Sequence, residues 1–279
     1  VVDLQKVGVR YYTSIATIAE VMKVAGPLKV EIIILDRPNL LGGKIVEGKV
    51  LDPVLAESFT AYHTVPTRHG MTLGELALMI NKEKKFGTPL TIIPATGWKR
   101  ENLLASLDRT WIPPSPALTE TSQVGLYAIW GTLEDFNLAV GRGKTNESAF
   151  YVLGAPWIRP DEAKRLSSEL NGFGFRGLAF SEHSWKVTRS KYEGKTANGV
   201  IVKWTGEEVR TDEVTYKVAS LLIRMFPDRL SITKMSPQGY GSKSFVDAVK
   251  AGVPWSKFGS LIDRELKEFR VRRESYLLY

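Results

Sequence analysis

Apolar positions in the first half of this chain switch between helical spacing and short unbroken runs, the pattern of an α/β succession. Across residues 12–25, Ile15, Ile18, Ala19 and Met22 recur at helical intervals, and Gly26-Pro27 ends the period. Ile32-Ile33-Ile34-Leu35 then forms a continuous apolar run, which predicts a strand buried on both faces. Residues 44–62 show no sustained period and read as mostly loop; residues 71–84 read as a second helix and 90–94 as a short strand. Three prolines in Pro113-Pro114-Ser115-Pro116 exclude regular helix and central strand there and predict a rigid loop. The second half predicts a helix over 161–170, strands over 177–180 and 199–204, a helix over 212–226 and a final helix over 255–273. Composition changes near residue 150. The expected architecture is therefore α/β, with one domain over 1–150 and an α+β domain over 151–279. Val1-Val2-Asp3-Leu4-Gln5 reads as a strand end followed by a turn, so the first domain's earlier strands are expected upstream or on a separate polypeptide.

The richest local signal follows the first strand. Asp36-Arg37-Pro38-Asn39 stands where the strand leaves the sheet, Pro38 restricts Arg37 to extended backbone, and Gly42-Gly43 permits a second bend. Open α/β sheets bind ligands beyond the carboxyl ends of their strands, which makes Asp36, Arg37 and Asn39 candidate contacts. A capped surface turn is the competing reading of the same residues.

Composition narrows the chemistry. The chain has 279 residues, 43% hydrophobic and 24% charged, with no apolar run long enough to span a bilayer and no signal-peptide pattern. Absence of cysteine excludes disulfides, thiol nucleophiles and thiolate metal sites. A net charge of +8 favours anionic partners. The most basic stretch, residues 264–273, interleaves Glu265 and Glu268, so it reads as a solvated amphipathic helix in preference to a nucleic-acid surface.

Several motifs lose their functional meaning in context. Gly172-Phe173-Gly174-Phe175-Arg176-Gly177 satisfies a dinucleotide fingerprint, but a helix precedes it and a strand follows, the reverse of what pyrophosphate binding needs. Gly172 reads instead as the residue just past a helix end. Gly141-Arg142-Gly143-Lys144-Thr145 lacks phosphate-loop spacing and leaves Arg142 as a candidate carboxylate clamp or a surface ion pair. Thr72-x-x-Glu75 before Leu76, Leu78 and Met79 predicts a capping box. His69, just before that cap, is a candidate ligand contact or proton donor. His63, His69 and His183 form no metal spacing, and no nucleophile elbow occurs. Asp3, Asp36, Glu134 and Asp135 supply carboxylates for a two-carboxylate hydrolase. Trp98, Trp111 and Trp130 lie near turns, where sugar stacking and core packing are both open, core packing being the plainer reading.

Taken in order, a set of blocks resembles the NamZ-type exo-β-N-acetylmuramidase family. They are Asp3-Leu4-Gln5-Lys6-Val7-Gly8-Val9-Arg10-Tyr11-Tyr12-Thr13, LDRPNLLGG from Leu35, HGMTLGELA from His69, Gly97-Trp98-Lys99-Arg100, Pro114-Ser115-Pro116, Asn137-Leu138 with Gly141-Arg142-Gly143, Gly154-Ala155-Pro156-Trp157, Tyr192-Glu193-Gly194, and Tyr276-Leu277-Leu278-Tyr279. The resemblance implies a partial Rossmann-like first domain over 1–150, a smaller α+β second domain over 151–279, a cleft between them that holds a terminal sugar, exo-acting release of N-acetylmuramic acid from peptidoglycan fragments, no cofactor and no metal, and a secreted or periplasmic setting. It also implies roles: His69 and Glu134 in proton transfer, Arg10 and Arg142 on the lactyl carboxylate, and Tyr12, Asp36, Arg37, Asn39 and Asn137 in substrate binding. Departures from the pattern are equally specific. The family's leading catalytic glutamate stands in a Glu-His-Gly segment that these 279 residues do not contain. Ala117, Ala139 and Val140 replace polar family residues, so the substrate differs or activity is lower. The alternative reading is a non-catalytic muropeptide-binding protein, and a basic nucleic-acid-binding domain is a third.

Overall fold

The computed structural model describes residues 1–103, 110–141, 149–189, 191–205, 209–232 and 236–279. In chain order the first elements are α1 (Ser14–Ala25), β1 (Ile32–Leu35), β2 (Glu47–Val50), β3 (Pro66–Arg68), α2 (Leu73–Glu83) and β4 (Leu90–Ile93). Next come α3 (Ser122–Trp130), β5 (Val152–Ala155), α4 (Pro160–Gly172), β6 (Leu178–Lys186) and β7 (Thr196–Trp204). The chain finishes with α5 (Thr211–Met225), α6 (Ser236–Tyr240), α7 (Lys243–Lys250) and α8 (Trp255–Arg273). The fold is mixed α/β in two compact units.

The first unit comprises Val1–Thr110, Pro237–Lys243 and Gly259–Tyr279. Its parallel pair joins β1 to β4, from Ile32 opposite Leu90 to Leu35 opposite Ile93, and Val2 bridges to Ile34 in parallel. Parallel neighbours need a crossover, which here contains α2. The apolar stripe of α1 places Ile15, Ile18, Ala19 and Met22 at 2% exposure or less. Burial of the larger three stabilises the unit by roughly 1.5–3 kcal/mol each. One expectation is corrected here: Ile32 and Ile34 are buried, but Leu35 is 39% exposed and Ile33 half-buried, so the strand is covered on one face only. Residues 44–62 also hold more structure than expected, because β2 pairs antiparallel with β3.

The second unit comprises Trp111–Ser236 and Ser244–Phe258. Its sheet has the order β5-β7-β6, all antiparallel, with β6 and β7 paired from Leu178–Trp204 to Lys186–Thr196. Helix α4 packs on this sheet through Ala163, Leu166 and Leu170. In α3, Gly125 permits a close approach, since a Cβ there would lie 2.0 Å from Cζ3 of Trp204. Residues 111–116 contain neither helix nor strand, as their prolines require. Helix α4 runs through Gly172, and the left-handed residue that ends it is Gly174, at φ +64°, so the expected role shifts by two positions. The helix-then-strand order that argued against a dinucleotide loop is present.

Candidate functional site

At the carboxyl end of β1 the chain is pinned. The Asp36 amide donates to the Ile93 carbonyl at 2.9 Å, extending the β1–β4 pairing by one residue. Its carboxylate Oδ1 accepts the Gly74 N–H at 2.9 Å, and Oδ2 accepts the Tyr279 hydroxyl at 2.9 Å. Gly74 lies in the first turn of α2, where unsatisfied amides and the helix dipole favour an anion. Only glycine fits there: a Cβ would stand 2.9 Å from Asp36 Oδ2 and 2.7 Å from Ile92 Cγ2. Asn39 is 1% exposed; its Nδ2 donates to the Met71 carbonyl at 3.0 Å and its Oδ1 accepts the Leu41 amide at 2.9 Å. The turn after β1 is thus stitched to the turn before α2.

The capping box predicted for α2 is present. Thr72 Oγ1 accepts the Glu75 amide at 3.2 Å and Glu75 Oε2 accepts the Thr72 amide at 2.9 Å. Glu75 is fully buried, and its other oxygen accepts from the Arg100 guanidinium and from the Leu278 amide at 2.8 Å. Arg100 also donates to the carbonyls of Gly70 and Tyr279, at 2.8 and 2.9 Å. These bonds hold the last residues against the strand exits, where Trp98 meets Tyr279 edge-on at 4.9 Å. Trp98 and Trp130 are buried at 5% and 1%, which is core packing.

His69 is entirely buried. Its Nδ1 accepts the Met71 amide at 3.0 Å, and its Nε2 is hydrogen-bonded to Nζ of Lys6, itself 2% exposed. Burial holds the His69 pKa well below the usual imidazole range, and the neighbouring Arg273 and Arg10 charges act in the same direction. A ring so placed is neutral at neutral pH and presents no free nitrogen, which does not suit a solvent-accessible proton donor.

Arg10 was expected on a carboxylate but lies inside the first unit at 2% exposure. Nη1 donates to the Lys49 and Val65 carbonyls, at 3.1 and 3.2 Å, and Nη2 to the Gly239 carbonyl at 2.7 Å. Burial brings its pKa down to about 10 despite the Tyr11 and Asp52 charges. Arg37 is the contrasting case. Its Nε and Nη2 grip both oxygens of Asp3, the latter at 2.8 Å, and the two side chains are 45% and 43% exposed. Tyr12 is half-buried, and its hydroxyl titrates above the usual range because of that burial.

The remaining candidates belong to the second unit. Glu134 is half-buried in a short 3-10 turn, Gly131–Asp135. Asn137 is engaged on every polar atom: Nδ2 donates to Arg229, Oδ1 accepts from Ser231 at 2.7 Å, and its carbonyl accepts from Trp157 and Tyr192. Arg142 lies outside the described residues. Among the described residues no group of three or more His, Asp or Glu could hold a metal. No helix among them is long and apolar enough to cross a membrane. Within the first unit, then, the structure joins Asp36, Asn39 and His69 and adds Lys6, Gly74 and Tyr279, which lie in the family-like blocks but carry no expected role. Lys6 in particular sits between fully buried Val7 and the preceding Gln5 with nothing in its spacing to suggest a buried amine.

A parallel strand pair whose exit meets a helix N-terminus and a buried acidic turn places the chain among α/β proteins, the class whose strand exits are the common place for a ligand. Comparison with known proteins makes this specific. The chain matches both profiles of one family, described as Exo-beta-N-acetylmuramidase NamZ, N-terminal over residues 1–122 and C-terminal over residues 125–279. It belongs to the NamZ family. It is 30% identical over 284 residues to the Peptidoglycan beta-N-acetylmuramidase NamZ of Bacillus subtilis, covering 99% of this chain and 66% of that protein. Crystal structures of two DUF1343 family proteins of Bacteroides fragilis are similar, with TM-scores of 0.88 and 0.75 at 28% and 25% identity. Each comparison covers 99% of this chain and 73% of the other. One chain carries both parts of the family, so the expectation of a separate polypeptide gains no support.

Proposed function

We propose that this chain serves as an exo-acting β-N-acetylmuramidase, releasing N-acetylmuramic acid or a related amino sugar from the non-reducing ends of peptidoglycan fragments. The observation that carries the reading is family membership through both profiles, joined to identity with a peptidoglycan-acting relative. The chain spans just under two thirds of that relative, so activity is assigned to the polypeptide that contains it.

Asp36 and Asn39 shape the sugar-contacting turn. Arg37 takes the lactyl carboxylate in our reading, in place of Arg10, because Arg37 is exposed and already holds a carboxylate with two nitrogens of its fork. Asp3 is then its resting partner, exchanged when the anionic sugar arrives. His69 orders the neighbouring turn, and Glu134 remains the carboxylate assigned to proton transfer within these residues. Tyr12 and Arg142 complete the set as substrate contacts, while Asn137, with its side-chain amide already engaged, orders the loop that holds Arg229 and Ser231.

Turnover of a chromogenic β-N-acetylmuramide and of the matching glucosaminide tests this, with the chain alone and joined to a Glu-His-Gly-bearing segment of the family. Muramide-selective release in either sample supports the proposal. No release in both samples overturns it, and saturable binding without release identifies a carbohydrate-binding protein.

A further inference from the structure

The buried pair of Lys6 and His69 has a hydrogen-bond direction that can be worked out. A neutral imidazole carries one proton, and the ring nitrogen lacking it is the acceptor. Nδ1 of His69 accepts the Met71 amide at 3.0 Å, so Nδ1 has no proton and Nε2 bears it. Nε2 points at Nζ of Lys6. A lysine ammonium has only hydrogens to offer and would face Nε2–H donor to donor. An amine has a lone pair and accepts that proton. Among the described residues no carboxylate lies within ion-pair distance of the Lys6 nitrogen; Asp36 acts on it only through its field. At 2% exposure, an unpaired ammonium there would bear the full desolvation cost.

We propose that Lys6 is an uncharged amine in the folded protein and acts as a positioning residue: it accepts the His69 Nε2 proton and so fixes the tautomer that holds the 69–72 turn. The consequence passes along bonds already described. His69 Nδ1 holds the Met71 amide, the Met71 carbonyl receives Asn39, and the Gly74 amide receives Asp36. Protonating Lys6 demands the opposite tautomer, which sets Nδ1–H against the Met71 N–H and releases the turn. The charged groups around the pair are Asp36, which favours protonation of Lys6, and Arg10 and Arg273, which disfavour any positive charge on His69. Burial pushes the lysine well below its usual range, in agreement with the geometry. The link from this turn to a sugar rests on the function proposed above; the protonation state does not.

Nitrogen NMR of the isotopically labelled 279-residue chain near neutral pH reads the state directly. The expected result is an unprotonated His69 Nδ1, a protonated Nε2, and a Lys6 nitrogen carrying two hydrogens. A protonated Nδ1 beside an ammonium overturns the proposal. Two variants separate acceptor from charge. Lys6→Gln supplies a carbonyl acceptor and is expected to keep the tautomer and most of the stability. Lys6→Arg, which keeps the charge and offers no acceptor, is expected to lower the folded-to-unfolded ratio by at least about tenfold. The reverse ranking overturns the proposal, and if neither variant folds the wild-type spectrum decides alone. Failure of every form to bind N-acetylmuramic acid would sink the functional reading and leave the Lys6 assignment standing.

Discussion

Gly74→Ala is the sharpest test of how Asp36 is held. In most exposed helix positions this change stabilises by up to about 1 kcal/mol, because alanine has the higher helix propensity. Here the new methyl would stand 2.9 Å from both Cγ and Oδ2 of Asp36 and 2.7 Å from Ile92 Cγ2, below any ordinary contact distance. The carboxylate must move, weakening its bonds to the Gly74 amide and the Tyr279 hydroxyl. Hydrogen bonds to a charged group contribute about 1.5–3 kcal/mol each, so loss of one, offset by the gain in propensity, leaves a net destabilisation of about 0.5–2 kcal/mol. Loss of both would raise this to about 2–5 kcal/mol. Urea denaturation of wild type and variant measures the difference. Gly172→Ala is the control, because a Cβ there meets nothing within 4 Å, and it is expected to be neutral or slightly stabilising. A Gly74→Ala protein as stable as wild type would refute the claim that α2 and the acidic turn are locked together.

Other expected outcomes follow from the same bonds. Asn39→Ala removes a buried donor and a buried acceptor and should destabilise by about 2–3 kcal/mol by calorimetry. Arg37→Ala should change stability by less than about 1 kcal/mol, because its pair with Asp3 is nearly half exposed, yet raise KM for a muramide substrate; an unchanged KM contradicts the assignment of Arg37 to the carboxylate. Glu83 has a pKa of about 2 against its ordinary 4.5, although burial alone would raise it, because His63 and Arg272 hold its charge. This depressed carboxylate adds up to about 3 kcal/mol that is fully present above pH 4.5 and is lost as pH falls toward 2, so acid unfolding should begin at lower stability in Glu83→Gln. For Lys6 the slope has the same sign but lies at higher pH: a base neutral when folded and protonated when unfolded makes stability rise with pH above the folded value, by up to about 1.4 kcal/mol per unit, until the unfolded lysine also loses its proton near 10.5. Lys6→Gln should flatten that rise in denaturation curves taken across the alkaline range.

The elements legible in the sequence are those whose pattern is set locally. The Thr72–Glu75 spacing named a capping box that the structure contains, and the amphipathic run of α8 gave both of its ends, Trp255 and Arg273. Helix α3 escaped notice because Val124, Leu126, Ala128, Ile129 and Trp130 are all buried, which erases the polar stripe that would mark a helix. Strand β6 starts near its expected place but runs past the expected end at 180 through Glu182-His183-Ser184, polar residues held in strand by their pairing with β7. At the site the turn residues and the blocks holding their partners were visible, while the pairing between them was not. Lys6, Gly74 and Tyr279 reach Asp36 and His69 from 38 to 243 positions away, and no local rule carries that distance. Arg10 shows the converse: the family resemblance places it on a carboxylate, and its guanidinium is occupied by backbone carbonyls.

The most direct measurement of the account is product analysis by mass spectrometry after the family polypeptide containing this chain meets a defined oligosaccharide with N-acetylmuramic acid at its non-reducing end. The account predicts free N-acetylmuramic acid and a chain shorter by one sugar, with no product when N-acetylglucosamine occupies that end. Internal cleavage products, or equal release from both ends, would contradict it.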